Sequence, residues 1–228
     1  MNSILKIFVH NWLAILYFNF KVLPIRQAVK LPFDFYYKVR FENIKGKIKI
    51  DSPGIHRAMI KIGGRGSEMF SREQTIIDIK GNVLFKGITE IGAGCLLRVE
   101  EDGNLFFGNK VRIGAKSKIF CENNIVFGDE IDFSWECQIF DTNFHFMKDI
   151  SSGRLIQKTG TIEIGSYNWF GNRVNVMKGT KTPENMIVAS NSLCNKDYTD
   201  LADYSLLAGS PAKCVKTGIK RMFEGVDL

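Results

Sequence analysis

The sequence predicts an all-β solenoid built from stacked three-sided coils. Its main evidence is an aliphatic or aromatic residue that recurs every six positions, with breaks of 10, 8 and 25 residues. A glycine directly follows many of these residues. A six-residue period fits neither a 3.6-residue helix nor the two-residue alternation of a flat sheet. The periodic positions are Ile79, Phe85, Ile91, Leu97, Phe107, Ile113, Ile119, Phe127, Phe133, Ile139, Ile164, Phe170, Val176, Thr182, Val188 and Cys194.

Each hexapeptide is interpreted as one short flat face of a coil, with the periodic side chain pointing inward. Glycine or another small residue stands at the corner where the backbone turns. Stacked coils bury a continuous apolar column and pair their backbone groups with those of the next coil. About five coils are expected from Phe85 to Cys194. A second inward position precedes many periodic residues by two, at Leu105, Val111, Ile125, Ile131, Ile162 and Val174.

The first twenty residues predict an amphipathic helix that ends before Pro24. Its apolar stripe has helical spacing, and its longest apolar run, Trp12 to Phe18, is far shorter than the roughly 20 residues of a spanning helix. The stripe therefore packs on the body or a neighbouring subunit, or it contacts a membrane surface, and both alternatives stay open. The stripe residues are Ile4, Ile7, Phe8, Trp12, Ile15 and Leu16.

Charge is concentrated at the N-terminal end of the chain. Residues 1–50 hold nine basic and two acidic residues, so they carry the whole formal charge of +7, and the remainder is neutral. A basic segment on a neutral body suggests an anionic partner or a solvated terminus. Since no nucleic-acid-binding motif accompanies it, a nucleic-acid partner is not expected. We expect peripheral membrane contact through residues 1–50 as the leading alternative.

Cysteine and histidine usage limits the kinds of site that the chain can hold. The five cysteines form no C-x-x-C pair, which disfavours a structural zinc site or a secreted disulfide framework and indicates a reducing, cytoplasmic compartment. The three histidines, His10, His56 and His145, are widely separated, which disfavours a multi-histidine metal centre. No metal ion is expected.

Two segments carry a resemblance to a known family. The segment IEIGSYNWFGNRVNVMKGTKTPENMIVASNSLCNKDY (162–198), followed by LLAGSPAKCVK (206–216), resembles the last coils and closing motif of the hexapeptide-repeat acyltransferases. The opening LYFNFKVLPIRQAVKLP (16–32) is similar to a subgroup found among polysaccharide-biosynthesis O-acetyltransferases. The resemblance implies a left-handed parallel β-helix and transfer of an acyl group, most often acetyl, from coenzyme A.

The catalytic residue that the resemblance implies is His145, in the DTNFH segment that opens the 25-residue break. A sugar hydroxyl is a poor nucleophile, and a neutral imidazole can remove its proton during attack. Asp141 is expected either to hold the imidazole in the useful tautomer or to be an ordinary loop-starting aspartate. The proposed reaction is acetyl-CoA-dependent O-acetylation of a sugar hydroxyl on a cell-surface polysaccharide or its precursor.

The resemblance also implies where acetyl-CoA binds. The pantetheine arm would contact small corner residues, and the phosphates would meet basic residues after the last coil. Trp169 would flank this groove or pack at a subunit interface, and the protein would be a homotrimer with the groove at subunit boundaries. The expected donor-binding residues are Trp169, Gly171, Asn172, Ala189, Ser190, Asn195, Lys196 and Lys213.

Three regions are predicted along the chain. Residues 1–50 form the basic N-terminal segment, 51–205 the β-helix with an inserted loop over 141–160, and 206–228 the closing motif with a short C-terminal helix. Two other functions remain open: N-acetylation of a nucleotide-linked amino sugar, and a noncatalytic β-helix that serves as a binding module.

Overall fold

The computed structural model describes residues 10–36, 38–64 and 73–222. Two helices come first, α1 (Trp12–Val22) and α2 (Ile25–Ala28). The strands follow in chain order: β1 (Phe33–Phe35), β2 (Val39–Ile44), β3 (Lys47–Ile50), β4 (Ile60–Gly64), β5 (Thr75–Ile79), β6 (Asn82–Phe85), β7 (Thr89–Gly92), β8 (Leu96–Val99), β9 (Asn104–Phe107), β10 (Val111–Ile113), β11 (Lys118–Cys121), β12 (Asn124–Phe127), β13 (Asp132–Phe133), β14 (Gln138–Phe140), β15 (Met147–Lys148), β16 (Leu155–Ile156), β17 (Ile162–Ile164), β18 (Trp169–Phe170), β19 (Asn175–Met177), β20 (Lys181–Thr182), β21 (Ile187–Val188), β22 (Leu193–Cys194), β23 (Leu206–Ala208) and β24 (Lys213–Lys216).

Successive strands wind around three faces, so the predicted solenoid of three-sided coils is confirmed. Face 1 is the sheet β1-β4-β7-β10-β13-β18-β21-β23, and β24 is added at its end. Face 2 is the sheet β2-β5-β8-β11-β14-β19-β22, and face 3 is the sheet β3-β6-β9-β12-β17-β20. Neighbouring coils pair in parallel on every face, as in β11 with β14. Four complete coils and two faces of a fifth lie within 85–194, in agreement with the prediction of about five.

The β-helix begins earlier than the sequence predicts. Strands β1, β2 and β3 already form a complete coil, and they pair with β4, β5 and β6 of the second coil. The body therefore starts at Phe33 rather than at residue 51. The loop predicted over 141–160 leaves after β14 and returns at β17, and its hairpin β15–β16 lies outside the three faces.

The predicted inward residues form the core. All sixteen periodic positions are buried, as are the six second positions. Aromatic rings stack along the column: Phe85 lies 5.0 Å from Phe107, and Phe133 lies 4.1 Å from Phe170, between ring centroids. Such close packing of apolar side chains supplies most of the stability that a solenoid has, because each coil buries its surface only against its neighbours.

The glycines after the periodic residues serve a different purpose from the one predicted. They are not in the left-handed conformation; residues such as Lys116 and Glu136 adopt it at the corners, with φ of 58° and 60°. A Cβ added to Gly108 would lie 2.3 Å from the Gly128 carbonyl oxygen of the next coil, and one on Gly171 would lie 2.6 Å from the Ser190 nitrogen. Glycine is therefore required by the close approach of neighbouring coils.

Helix α1 covers the open end of the first coil. The buried side chain of Asn19 donates to the Phe33 carbonyl oxygen at 2.8 Å and accepts from the Phe33 amide at 3.0 Å. The Phe18 ring packs 4.9 Å from that of Phe33 and 5.0 Å from that of Phe35. These contacts satisfy backbone groups that would otherwise be unpaired at the end of the column.

The buried face of α1 differs from the predicted stripe. Ile15 is buried, but Leu16 is exposed and Trp12 lies at the surface, while Ile4, Ile7 and Phe8 lie outside the described residues. The prediction failed because α1 is apolar around most of its circumference, so spacing alone did not select one face.

The predicted C-terminal helix is absent from residues 206–222. That segment forms β23 and β24, which pair in antiparallel fashion. Residues 223–228 lie outside the described residues. Among the helices that the structure describes, none has the length and hydropathy needed to cross a bilayer.

Candidate active site

The loop over 141–160 carries His145 outside the wall of the β-helix. It leaves the second edge, which we define as the corners where face 2 turns into face 3. An antiparallel bridge between Thr142 and Thr159 closes its base. The His145 side chain is exposed to solvent. The imidazole is therefore free of the packing that fixes every inward residue of the coils.

Asp141 fastens this loop to the coil below it. Its side chain is fully buried, and its two carboxylate oxygens accept hydrogen bonds from the backbone amides of Glu122 at 2.8 Å and Asn123 at 2.7 Å. Burial raises the pKa of the Asp141 carboxyl, and the amide hydrogen bonds oppose that rise only in part. Of the two roles expected for Asp141, these contacts favour that of a loop-starting aspartate, which anchors the loop to the wall.

Phe144 fixes the backbone immediately before His145. Its φ of 66° lies in the left-handed region, which is rare for a bulky residue, and its amide donates to the Thr142 hydroxyl at 3.0 Å. Its ring lies 4.8 Å from that of Phe120 and 5.8 Å from that of Phe140, on the outer side of face 2. The aromatic cluster holds Phe144 against the wall, and the chain then turns outward at His145.

A second contact closes the loop from its returning arm. The Lys158 ammonium forms an ion pair with the Glu122 carboxylate. Burial raises the pKa of Glu122, but hydrogen bonds from Lys158 and Thr142 outweigh it, so the net shift is downward. An open depression of about 330 Å³ lies beside these groups, bordered by Phe120, Phe144 and Lys158 together with acidic side chains. The acidic residues are Glu100, Glu101, Asp102 and Glu122.

Four of the predicted donor-binding residues lie together on the first edge, where face 1 turns into face 2. Gly171 and Asn172 follow β18, and Ala189 and Ser190 follow β21 in the next coil. The Gly171 amide donates to the Val188 carbonyl oxygen at 2.8 Å. The Ser190 hydroxyl donates to the Asn172 side-chain oxygen at 2.6 Å. The arrangement is a column of corner residues in which Gly171 is buried and Asn172, Ala189 and Ser190 reach the surface.

The basic residues predicted to meet phosphate are divided between two edges. Lys213 pairs with Ala208 in the closing hairpin and so lies at the end of the first edge. Asn195 and Lys196 follow β22 on the second edge, the one from which the His145 loop leaves. Lys196 is exposed, with its ammonium 5.3 Å from the Tyr198 ring centroid. One chain therefore does not bring all the predicted donor residues to one place.

Trp169 lies on face 1 beneath the C-terminal segment. Its indole N–H donates to the Ser134 hydroxyl at 3.4 Å, and the Arg221 guanidinium lies 4.6 Å from the ring centroid. Arg221 and Arg112 both pair with the Asp132 carboxylate. These hydrogen bonds lower the pKa of Asp132 although burial opposes them. The indole is thus half-buried between the wall and Arg221.

Ser134 and Trp135 are not among the site residues that the sequence predicts. They follow β13 on the first edge, one coil before Gly171 and Asn172, and the Trp135 side chain is partly exposed. The six-residue register contained the signal, because Phe133 aligns with Phe170 and the next two residues must then share a corner. Nothing in the sequence predicted the contact of Arg221 with Asp132, because the two residues are 89 positions apart and Arg221 lies outside the repeat.

Sequence comparison finds relatives that are named as acetyltransferases. The chain is 33% identical over 130 residues to the probable acetyltransferase Rv3034c of Mycobacterium tuberculosis, covering 55% of this chain and 41% of that protein. It is 34% identical over 74 residues to the putative acetyltransferase SACOL2570 of Staphylococcus aureus, covering 32% of this chain and 33% of that protein. The chain thus spans less than half the length of these relatives. No family model matches the sequence.

Among solved structures, the chain is similar to the polySia-specific acetyltransferase NeuO. The TM-score is 0.50 at 18% identity, and the similarity covers 86% of this chain and 81% of that one. At this identity the likeness concerns the fold. The predicted left-handed parallel β-helix and the predicted resemblance to hexapeptide-repeat acyltransferases are both confirmed.

Proposed function

We propose that this chain is an acetyl-CoA-dependent O-acetyltransferase that acts on a sugar hydroxyl of a cell-surface polysaccharide or its precursor, with His145 as general base. The observation that carries the proposal is the exposed His145 on a loop that Asp141, Phe144 and Lys158 hold against the wall. The named acetyltransferases among its relatives support the acetyl donor. The polySia specificity of NeuO supports a polysaccharide acceptor.

In the proposed reaction, acetyl-CoA supplies the acetyl group as a thioester. His145 takes the proton from the acceptor hydroxyl while the hydroxyl oxygen bonds to the acetyl carbon. The bond from that carbon to sulfur breaks, and His145 returns the proton to the departing sulfur. Asp141 contributes by positioning the loop, since both of its oxygens are bonded to the wall.

The first edge has the features that a pantetheine arm and a phosphate group require. Ala189 and Ser190 expose small side chains next to backbone groups, so a narrow chain can approach the coils closely. Lys213 is exposed at the end of the same edge and forms no ion pair with another described residue. Its ammonium can meet a phosphate of coenzyme A. The described residues therefore fit this donor.

We propose that the complete site forms between the copies of a homotrimer. His145, Asn195 and Lys196 belong to the second edge, and the small residues with Lys213 belong to the first. A closed three-fold arrangement would bring the second edge of one chain to the first edge of its neighbour. The exposed aromatic side chain of Trp135, on the first edge, would gain a partner there. Light scattering is expected to give about three times 25.9 kDa, and a mass near 25.9 kDa would contradict the trimer.

The function is tested by incubating the protein with acetyl-CoA and a panel of sugars, free and carrier-linked, that offer hydroxyl or amino groups. His145→Ala is expected to lower kcat by about 10²- to 10⁴-fold, the usual contribution of a positioned base. The matched control is His56→Ala, because His56 is also exposed but lies in the connection between β3 and β4, far along the chain from the loop. Equal transfer by His145→Ala and the parent would remove His145 from the mechanism.

The same panel separates the alternative functions. Transfer to an amino sugar linked to a nucleotide, without transfer to hydroxyls, would replace O-acetylation by N-acetylation. Sugar binding with no transfer to any acceptor would favour a noncatalytic binding module.

We further propose a cytoplasmic location with peripheral contact at the inner face of the bacterial membrane through residues 1–50, where growing glycans are assembled on lipid carriers. No nucleic-acid partner is proposed.

A further inference from the structure

The outward face of α1 is apolar along its length. The side chains that point away from the coils are 83% exposed at Leu13, 55% at Tyr17 and 48% at Phe20, and Leu16 lies between them. A helix on the surface of a protein in water ordinarily presents polar residues on this side. The polar contacts of α1 are instead on the inner side, where Asn19 holds β1. We call Leu13, Leu16, Tyr17 and Phe20 the apolar stripe.

Cations surround this stripe without neutralising partners. Tyr17 borders an open groove of about 740 Å³, which is also lined by Lys21, Lys45 and Lys47. These three lysines are exposed, and none forms an ion pair with another residue that the structure describes. Glu42 also lines the groove, but it is paired with Arg40 at 2.5 Å. The groove therefore has a net positive charge.

Helix α2 also exposes apolar side chains next to basic ones. Ile25 and Val29 lie one turn apart and are both exposed, and Arg26 and Lys30 beside them are exposed as well. The stripe, the groove and this pair of residues thus form one continuous region at the N-terminal end of the β-helix. This end is opposite the closing hairpin, and three coils lie between it and the coil from which the His145 loop leaves.

We propose that this region docks on a lipid bilayer that contains anionic headgroups. The apolar stripe would enter the boundary between headgroups and acyl chains, and Lys21, Lys45 and Lys47 would lie at the level of the negative charges. In the proposed trimer, three such regions would face the same side, so their contacts would add. The proposal specifies the peripheral contact proposed above and assigns it to the outer face of α1, while Ile15 and Phe18 are used for internal packing.

A second copy of the chain is a less suitable occupant. Two copies that met stripe to stripe would also bring their unpaired lysines together, and like charges oppose such an interface. A bilayer with anionic lipids offers both the apolar interior and the opposite charge. Charge complementarity therefore selects the membrane surface.

The test is co-sedimentation of the full chain with vesicles of phosphatidylcholine alone or with added phosphatidylglycerol. Binding is expected only with phosphatidylglycerol, and it is expected to weaken as salt rises. The double variant Leu13→Ser with Phe20→Ser should bind on the order of 100-fold more weakly, because each of the two apolar side chains that enter the bilayer contributes about a tenfold step. Lys45→Gln with Lys47→Gln should weaken binding less and reduce its salt dependence.

The control variant is Val215→Ser, which changes an exposed apolar residue on the closing hairpin at the opposite end. It should bind vesicles as the parent does. Absence of binding to anionic vesicles at low salt, or equal binding by the Leu13→Ser with Phe20→Ser variant, would overturn the proposal. A lower mass in light scattering for that variant, with vesicle binding unchanged, would assign the stripe to contact between copies and would also overturn it.

Acetyl transfer to an unattached acceptor is measured on the same preparations. It should be unchanged in these variants, because none of the altered residues belongs to the candidate active site. Failure of transfer in every preparation would count against the proposed enzyme activity alone, and the vesicle result would still decide the docking surface.

Discussion

The stacked coils and the loop over 141–160 differ in how their residues are held. In the coils, Phe133 is fully buried and lies between Phe127 and Phe170, with ring centroids 5.8 Å and 4.1 Å away. In the loop, residues 144–156 are exposed, and the only regular structure is the two-residue pairing of β15 with β16. The loop is attached at its base, through Asp141 and Lys158.

This difference separates stability from chemistry. A side chain in the column has every direction occupied by neighbouring coils, so it contributes packing energy but cannot meet a substrate. A side chain on the loop is accessible, and its position depends on a few contacts at the base of the loop. The same kind of substitution should therefore have opposite consequences in the two regions, and this expectation can be tested in both.

The largest effect is expected from removing an aromatic ring in the column. Phe133→Ala should lower the free energy of unfolding by about 3–5 kcal/mol, the usual cost of deleting a fully buried aromatic side chain. The matched change in the loop is Phe146→Ala, where the ring is 58% exposed, and it should change stability by less than about 0.5 kcal/mol. Urea unfolding followed by circular dichroism measures both. Equal losses from the two variants would mean that the loop is part of the folding core.

The column was predictable from the sequence because its period is a direct consequence of its geometry. Each face uses a fixed number of residues, so the inward side chains recur at fixed spacing, and all sixteen proved buried. The first coil was missed because only Ile44 and Ile50 keep this spacing, whereas Phe35 lies out of register with them, and no glycine directly follows these residues. Its inward residues, including Phe33 and Phe35, are instead covered by Phe18 of α1.

The candidate site was predictable only in part for a related reason. The interrupted period located the loop, and the resemblance to known acyltransferases selected His145 within it, but the sequence contained nothing on the partners of Asp141. Those partners are the amides of Glu122 and Asn123, which lie at the corresponding corner of the preceding coil. They depend on how neighbouring coils stack, which the sequence does not describe. The contact of Arg221 with Asp132 depends on the path of the closing segment, which no periodicity describes.

Two buried aspartates, one in the wall and one at the base of the loop, allow the two regions to be compared through the pH dependence of unfolding. Asp132 in the wall has two arginine partners, which lower its pKa below the ordinary 3.8, whereas burial raises the pKa of Asp141 at the loop base above 3.8. A carboxyl with a lowered pKa stabilises the folded protein above pH 3.8, and that stabilisation is lost as the pH falls through the folded-state pKa. A raised pKa has the opposite effect on the pH dependence of stability. The folded state then binds the proton more tightly than the unfolded state, so the free energy of unfolding falls as pH rises from 3.8 through the folded-state pKa.

The two aspartates should therefore give opposite slopes when unfolding is measured between about pH 2 and pH 7. Asp132→Asn should cost about 1–3 kcal/mol at neutral pH, since it weakens buried hydrogen bonds to charged groups, and the cost should shrink in acid. The stability of the parent relative to Asp141→Asn should instead decrease as pH rises above 3.8. Slopes of the same sign would show that the two carboxyls occupy equivalent environments.

The smallest effect on stability is expected at Lys158. Its substitution should lower activity while leaving the free energy of unfolding almost unchanged. Its ion pair with Glu122 is partly exposed, and such pairs contribute about 0.2–1 kcal/mol, so Lys158→Ala should unfold nearly as the parent does. The pair nevertheless links the returning arm of the loop to the coil that Asp141 also holds. Its loss should raise the rate of proteolytic cleavage within 141–160 and lower kcat, while the fold stays intact. Lys110→Ala removes a comparable exposed pair, with Glu130, away from the loop, and it should change neither cleavage nor kcat. If both lysine variants behaved alike, the ion pair at the loop base would have no special part in holding His145.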